Sequence, residues 1–321
     1  MIGGGRARER DGEALHALLR YDSPESLCAR AVPYVREGLD RGEAVIAVVS
    51  AEAAQVLGSA LGDDAAGVAW QAEDVSYGRL GVMFEGFRRF LGEQRAAGVP
   101  LRLLTQNDAL GTEQRMAAHL RFEAMANEVY RPYGHRWACL YDTRAHSPQT
   151  LHQVGQVHPR LLEPGGQEIP NDDYLEPSAY LARSGPPPPP PAAVQLDQPV
   201  TDPGQLAAVR RLLRRWADLH GMGDHAGDVV SAVGEAVTNG LQHGTPPVRV
   251  RAWTADGLAR VQVHDRGLTP IPATAGYHRP PPEHDCGHGL WIARQLADTV
   301  TTHTDRGGTT VTLDFPLTTR R

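Results

Sequence analysis

One segment of the sequence spaces three polar side chains that could handle protons and metal-bound phosphates. Glu235, Asn239 and His243 follow one another at intervals of four residues, so in a helix they lie on one face. A carboxylate can orient or deprotonate a hydroxyl group, and an amide oxygen is a hard ligand suited to Mg²⁺. A solvated helix face is the alternative explanation of the same pattern.

Two further segments place glycines where a backbone could approach a ligand closely. Asp265 ends an apolar run, and Gly267 follows after one residue. Such a carboxylate can accept a hydrogen bond from an adenine amino group, and the glycine leaves room for the base. Gly287 and Gly289 open a helical pattern, and the backbone N–H groups at the start of a helix suit phosphates. Each motif alone is a weak signal, because Asp-x-Gly and Gly-x-Gly are common.

The elements predicted around these residues form an α+β domain. Apolar periodicity predicts helices over 203–220, 224–243 and 288–298, and strands over 193–197, 248–254, 259–264, 299–304 and 309–315. We expect the valines on a second face of helix 224–243 to pack on the sheet. The tripeptide Ala255-Asp256-Gly257 predicts a hairpin. Helices grouped on one face of a mixed sheet make an α+β sandwich.

The order and spacing of these motifs resemble the N, G1 and G2 boxes of the Bergerat ATPase fold, which is shared by gyrase, heat-shock, histidine-kinase and mismatch-repair (GHKL) ATPases. The resemblance implies that ATP binds together with Mg²⁺, with Asn239 as the metal ligand and Asp265 as the residue that recognises adenine. It also implies an ATP lid over 266–286. The implied cofactor-binding residues are Asn239, His243, Asp265, Gly267, Gly287, His288, Gly289, Leu290 and Thr309.

Within that superfamily, the chain is most similar to the anti-sigma-factor serine kinases of bacterial stress and sporulation switches. This resemblance implies that the domain, residues 193–317, regulates transcription by sequestering a sigma factor. It further implies an ATP-dependent protein serine kinase that phosphorylates a STAS-type anti-anti-sigma partner, with Glu235 as the catalytic general base. Homodimerisation through this domain is implied by the same resemblance.

Two alternatives use the same domain differently. An orphan histidine kinase needs a histidine–acid pair on an upstream helical hairpin, but the only such pairs, at 264–265 and 284–285, lie inside or after the nucleotide motifs. A catalytically inactive docking module is favoured by two departures from the family pattern. Gly267 is not followed, two residues later, by the second glycine of the G1 box, and the sequence contains no lysine that could contact the γ-phosphate. That role would fall to Arg266, Arg279 or Arg294.

The predicted lid offers one rival site. His284, Cys286 and His288, together with Asp285, have the residue types of a metal site. Alternate residues of a flexible loop rarely complete a coordination shell, and no partners that would orient the ligands are evident. We therefore favour nucleotide binding over metal binding in this segment.

The first half of the chain has a different pattern. Helices are predicted over 25–41, 51–61, 77–98 and 113–130, alternating with strands over 44–49, 101–105 and 137–141. This alternation predicts a mostly parallel α/β sheet. Six consecutive prolines end at Pro191, and such a run forms a stiff spacer. We place the linker between the two domains at 182–192.

Residues 13–181 resemble the MEDS family of bacterial sensory domains. The resemblance rests on the segments that begin at His16 and Val32, and on Arg121 to Ala124, Cys139 to Asp142 and His158-Pro159. It implies a RecA-like sheet without a P-loop that senses a small molecule or docks a partner. A ligand is expected at the carboxyl ends of the strands. The polar candidates are His16, Tyr21, Gln106, Asn107, Glu123 and Asp142.

Composition limits the remaining functions. All 32 basic residues are arginine, which excludes a Walker A loop and lysine Schiff-base chemistry. A net charge of -6 without a basic stripe predicts no direct binding to nucleic acid, and no apolar run is long enough to span a membrane. Three separated cysteines without a Cys-x-x-Cys pair indicate neither a disulfide framework nor a zinc site. We expect a soluble cytoplasmic regulator.

Overall fold

The computed structural model describes residues 15–72, 79–106, 113–183, 185, 187–280 and 287–317. These residues form two compact units, one within 1–77 and 85–177 and the other within 78–84 and 178–321. The domain bounds 13–181 and 193–317 stay a prediction. Asn107 and the lid residues 281–286, with His284, Asp285 and Cys286, lie outside the described residues.

The first unit contains a seven-stranded sheet. Its strands are β1 (Leu15–Tyr21), β2 (Ala44–Val49), β3 (Val68–Ala72), β4 (Leu101–Gln106), β5 (Arg136–Asp142), β6 (Arg160–Leu162) and β7 (Glu168–Pro170). They lie in the order β3-β2-β4-β5-β1-β6-β7. All neighbouring strands are parallel except β6 and β7. The predicted mostly parallel sheet is confirmed.

Helices connect the parallel strands of this unit, as the crossover between parallel strands requires. They are α1 (Pro24–Asp40), α2 (Ala51–Leu61), α3 (Leu80–Ala96), α4 (Glu113–Val129) and α5 (Pro148–Val157). The short helix α6 (Pro177–Ala182) follows β7, and all of it except Pro177 belongs to the second unit. Ser23 and Ser50 begin α1 and α2 by accepting hydrogen bonds from backbone N–H groups of the first turn. The sequence prediction missed β3, β6, β7, α5 and α6, which are short or carry little apolar periodicity, and it assigned no strand to the apolar residues of β1.

One arginine of the first unit is fully buried. The side chain of Arg102 on β4 has no exposed surface, and its guanidinium lies 4.5 Å from the centre of the Tyr34 ring. It donates hydrogen bonds to Glu43, to Glu37 at 3.0 Å and to the backbone oxygen of Tyr34 at 2.8 Å. These bonds tie β4 to α1 and to the residue that precedes β2.

The second unit contains a five-stranded antiparallel sheet. Its strands are β8 (Leu196–Val200), β9 (Val248–Ala255), β10 (Leu258–Asp265), β11 (Thr299–Asp305) and β12 (Gly308–Pro316), in the order β11-β12-β10-β9-β8. Every neighbouring pair is antiparallel, so the predicted mixed sheet was wrong in this respect. The strand predicted over 193–197 begins and ends three residues later, as β8. β8 contains Pro199, which is tolerated there because β8 is an edge strand.

Three helices pack on this sheet around one core. They are α7 (Leu206–Leu219), α8 (Ala226–His243) and α9 (His288–Leu296). Val229, Val233 and Val237 of α8 are fully buried with the inward valines of β9 and β10, which confirms the predicted valine face. The hairpin between β9 and β10 is also confirmed, since Asp256 and Gly257 both have positive φ, at 53° and 75°. Across the described ranges, no helix is long and apolar enough to cross a membrane.

Candidate functional site

Two of the three polar side chains on α8 face the first turn of α9. A Cβ atom added to Gly289 would lie 2.8 Å from Glu235 Oε2 and 3.3 Å from Asn239 Nδ2, so only glycine fits without displacing them. Glu235 and Asn239 are half-buried, whereas His243 is exposed at the last position of α8. The carboxylate and the amide are therefore brought together against α9, and His243 is not.

The start of α9 presents backbone donors. Gly287 precedes the helix with φ 89° and offers no side-chain cap, so the first N–H groups of α9 are left for another acceptor. His288 is half-buried at the first helical position. The side chain of Leu290 lies in the hydrophobic core, so only its backbone N–H can serve a ligand. This arrangement suits an anion.

Asp265 anchors a tight turn at the end of β10. Its Oδ1 accepts hydrogen bonds from the backbone N–H groups of Gly267, at 2.6 Å, and Thr245, at 3.1 Å. Asp265 is only 7% exposed, and its Oδ2 takes no part in these two bonds. Gly244 passes so close that any Cβ there would collide with the carboxyl group. The backbone of this turn thus fixes one oxygen of the carboxylate and, with it, the orientation of the Asp265 side chain.

Thr309 supports that turn from the neighbouring strand. It pairs with Asp265 in the register of β10 and β12, and its hydroxyl donates to the backbone oxygen of Gly267 at 2.9 Å. The Thr304 hydroxyl lies 3.0 Å from that of Thr309. Sequence reasoning missed Gly244 and Thr245 in this site. Their signal was a glycine placed directly after the polar face of α8.

Arg294 does not have the role predicted for it at a γ-phosphate. It is 2% exposed and donates to the backbone oxygens of Ala275, at 2.9 Å, and Val300, at 2.7 Å. Its guanidinium lies 3.9 Å from the centre of the Tyr277 ring. Arg294 therefore ties the segment after β10 to β11. Arg266 is exposed directly beside Asp265.

In the first unit, three of the polar candidates meet at the carboxyl ends of the parallel strands. Tyr21, Gln106 and Asp142 line a cleft of about 300 Å³. Gln106 donates to the Tyr21 hydroxyl at 3.0 Å and accepts from the Ser50 backbone at 3.0 Å. Hydrogen bonds from Arg144 lower the pKa of Asp142 below its usual range, so this carboxylate stays charged. The cleft lies where ligands bind in open α/β sheets.

His16 and Glu123 are not part of that cleft. His16 is the second residue of β1, far from its carboxyl end, and Glu123 lies on α4. Both are buried, at 5% and 2% exposure, and His16 Nε2 lies 3.8 Å from Glu123 Oε1. The single ligand site expected from the sequence is thus two separate groups of residues.

Two family models match the chain. Residues 15–159 match MEDS, described as the methanogen/methylotroph DcmR sensory domain. Residues 200–315 match the histidine kinase-like ATPase domain. A search of the curated proteins found no match.

Several solved structures resemble part of the chain. The RsbU and RsbW domains of a Mycobacterium tuberculosis protein are 26% identical, over 38% of this chain and 31% of that chain, with a TM-score of 0.29. A blue-light activated histidine kinase of Erythrobacter litoralis is 29% identical, over 29% of this chain and 31% of that chain, with a TM-score of 0.23. The mycobacterial sensor histidine kinase MprB is 18% identical, over 38% of this chain and 97% of that chain, with a TM-score of 0.26. The chain covers only 31% of the length of each of the first two.

Proposed function

We propose that this chain, which joins a MEDS sensory domain to a histidine kinase-like ATPase domain, is a signalling regulator whose second domain binds ATP with Mg²⁺. The observation that carries the proposal is the convergence of α8, the end of β10 and the start of α9. Gly289 lies against Glu235 and Asn239, and Asp265 is held by two backbone N–H groups. We assign the small-molecule signal to the cleft at the carboxyl ends of β1, β4 and β5.

Each side chain of this site has a distinct role in holding the nucleotide. Oδ2 of Asp265 accepts a hydrogen bond from the adenine amino group, while the backbone bonds to Oδ1 prevent the carboxylate from rotating away. The amide oxygen of Asn239 is the ligand offered to Mg²⁺, whose charge offsets that of the phosphates when it is bound. The backbone N–H groups at the start of α9 hold the phosphates.

The finer proposal is a serine kinase that controls a sigma factor. Glu235 Oε2 and the Asn239 amide lie against the same glycine, so a general base and a metal ligand would meet at the γ-phosphate. Glu235 would take the proton of a serine hydroxyl while the serine oxygen attacks the γ-phosphorus. The bond between that phosphorus and the leaving oxygen of ADP breaks. The substrate would be a STAS-type antagonist of the sigma factor that the domain sequesters.

The described residues favour serine over histidine as the phosphoacceptor. Between residue 178 and α8, the second unit contains α6, β8 and α7, and neither of these two helices carries a histidine. His264, the described histidine followed by an acid, lies on β10 and its ring nitrogen is 3.0 Å from the Thr310 hydroxyl. A histidine in a paired strand cannot swing to a bound nucleotide.

A second candidate function is a docking module that captures its partner without phosphotransfer. The structural observation in its favour is Arg294, which is engaged by backbone oxygens and is not placed to stabilise a transferring phosphate. The absence of lysine from the sequence points the same way. Tight partner capture without ATP turnover would support this function.

Replacing Asn239 with alanine is expected to weaken ATP binding about tenfold or more, since hydrogen bonds and ligand bonds to charged groups contribute roughly 1.5–3 kcal/mol. Calorimetric titration with ATP and ADP in the presence of Mg²⁺ measures the effect. Gln242→Ala is the matched control, because this amide lies on the same helix and is exposed. Equal ATP affinity of folded Asn239→Ala and wild type would refute the metal-ligand role.

Glu235→Gln separates binding from chemistry. The variant should bind ATP with nearly unchanged affinity, whereas phosphate transfer to a purified STAS-type protein should fall about 10²–10⁴-fold, the usual effect of losing a general base. Acid-stable label on a partner serine in the wild type is the expected product. Acid-labile label on the chain itself would instead indicate a histidine kinase. Strong partner binding with no label at all would establish the docking module.

A further inference from the structure

Four side chains with metal-binding atoms meet in the interior of the first unit. His16 lies on β1, Glu123 on α4, Cys139 on β5, and His158 directly follows α5. One ligand-type atom from each lies within 4.8 Å of all the others, and none of the four residues is more than 5% exposed. Because they come from four separate elements, the fold brings them together, and no local sequence motif marks them.

Hydrogen bonds outside the cluster orient both imidazoles inward. The Nδ1 of His16 lies 3.0 Å from Asn127 Oδ1, and the Asn127 amide nitrogen donates to the Val157 oxygen at 2.7 Å. The Asn127 oxygen must therefore accept, so Nδ1 of His16 carries the proton. The Nδ1 of His158 lies 2.7 Å from the Val154 oxygen, which can only accept. In both rings the Nε2 lone pair points into the cluster, as in histidine ligands held by outer partners.

The carboxylate of Glu123 lacks a donor on its inner side. Its Oε2 accepts from the Tyr141 hydroxyl at 2.7 Å. Its Oε1 lies 3.2 Å from Nε2 of His158, yet within the described part of the chain neither atom has a hydrogen-bond partner. Two buried acceptors that face each other are unfavourable unless a positive charge lies between them. A cation at this point satisfies both.

The sulfur of Cys139 completes the inner face. It lies 3.2 Å from Nε2 of His16 and 3.4 Å from the Thr105 hydroxyl. That hydroxyl accepts from the Trp137 indole at 2.6 Å, so its own hydrogen is directed to the sulfur. Donation to the sulfur is the arrangement that supports a thiolate ligand.

We propose that His16, Glu123, Cys139 and His158 bind one zinc ion. Zinc takes two imidazoles, a thiolate and a carboxylate in tetrahedral geometry, with bonds of about 2.0–2.3 Å and ligand atoms about 3.4 Å apart. The separations of 3.2 Å from His16 to Cys139, 3.2 Å from His158 to Glu123 and 3.8 Å from His16 to Glu123 are close to that value. A thiolate and a carboxylate together balance the charge of the ion.

The site is closed, because all four positions around the ion are filled by protein. A closed site is structural rather than catalytic. The ion links β1, α4, β5 and the end of α5, four elements that lie apart in the sequence. His16 and Asn127 also line a cleft of about 220 Å³, so the ion has a path to solvent along the His16 ring. The site does not depend on the proposed ATP binding, which belongs to the other unit.

Metal content tests the proposal first. Protein purified without chelators is expected to contain one zinc ion per chain, as measured by inductively coupled plasma mass spectrometry. Cys139→Ser should lower the zinc affinity at least about tenfold. Cys28→Ser, at a thiol of the same unit that is only partly buried, and Cys286→Ser, in the predicted lid, should keep the ion. Loss of the ion in Cys286→Ser but not in Cys139→Ser would place it in the lid and overturn the proposal.

Cobalt substitution distinguishes the loss of a metal ligand from the misfolding of a variant. Co²⁺ added to the metal-free wild type should give the visible bands of a tetrahedral ion and a near-ultraviolet sulfur-to-cobalt band. His158→Cys should strengthen that sulfur band by adding a second thiolate, a gain that unfolding does not produce. If the wild type neither contains zinc nor binds Co²⁺, the cluster is a hydrogen-bonded polar core. In either case the ATP titration is an independent readout.

Discussion

Replacing Asp265 with alanine is expected to lower the affinity for ATP about a hundredfold or more, which corresponds to about 2.8 kcal/mol. The substitution removes the acceptor proposed for the adenine amino group. It also frees the backbone N–H groups of Gly267 and Thr245, which Oδ1 now holds, so the turn that shapes the pocket loosens. Calorimetry with ATP at several protein concentrations measures the loss.

Nucleotide selectivity distinguishes recognition from general damage to the fold. Guanine carries an oxygen where adenine carries its amino group, so in the proposed binding mode the wild-type Asp265 carboxylate would repel GTP. Asp265→Asn can donate to that oxygen, and its ratio of ATP to GTP affinity should therefore fall. Asp218→Ala, at an exposed carboxylate on α7, is the matched control and should bind both nucleotides as the wild type does. An unchanged ATP affinity in folded Asp265→Ala would place adenine elsewhere.

Replacing Arg102 with methionine is expected to lower the free energy of unfolding of the first domain by about 3–5 kcal/mol. Breaking a buried ion pair from one side leaves the partner charge uncompensated. The side chain of Glu43 is only 12% exposed, so water cannot replace the lost donor. Urea unfolding, followed by hydrogen exchange at the amides of β4, measures the change in this domain alone.

A surface pair of the same chemistry provides the control for Arg102. Arg36 and Asp64 are joined at 2.8 Å, but both side chains are 48% exposed. Arg36→Met should therefore cost less than about 1 kcal/mol. The double variant Arg102→Met with Glu43→Gln should recover part of the loss, because the buried charge is then removed from both sides. If Arg36→Met and Arg102→Met lowered the free energy of unfolding equally, burial of the ion pair would not explain the loss in Arg102→Met.

The sequence predicted best those features that depend on local periodicity. β2 and α2 have the predicted bounds, because a run of β-branched residues and a serine cap are visible without any partner. The valine face of α8 follows from helical spacing in the same way. The motifs around Asn239 and Asp265 were recognised from their order, and the structure places both on elements of one unit.

The features that sequence reasoning missed depend on distant partners. Nothing near Arg294 in the sequence shows that backbone oxygens on either side of α9 accept its hydrogen bonds. The strand predicted over 193–197 lies at Leu196–Val200, and the position of this strand at the edge of the sheet, where Pro199 is tolerated, is a property of the whole sheet. Cys139 and His158 were noted separately, but only the fold shows that they meet with His16.

The position of β1 inside its sheet has a consequence for biosynthesis. β1 lies between β5 and β6, and its first paired residue, Leu15, faces Arg136. At synthesis rates of about 5–20 residues per second, β1 must wait on the order of ten seconds for this partner to leave the ribosome. During that time its apolar residues have no sheet to join, and pairings of such long range are slow to form. The yield of active protein should therefore depend on chaperones that shield β1 until translation has passed β5.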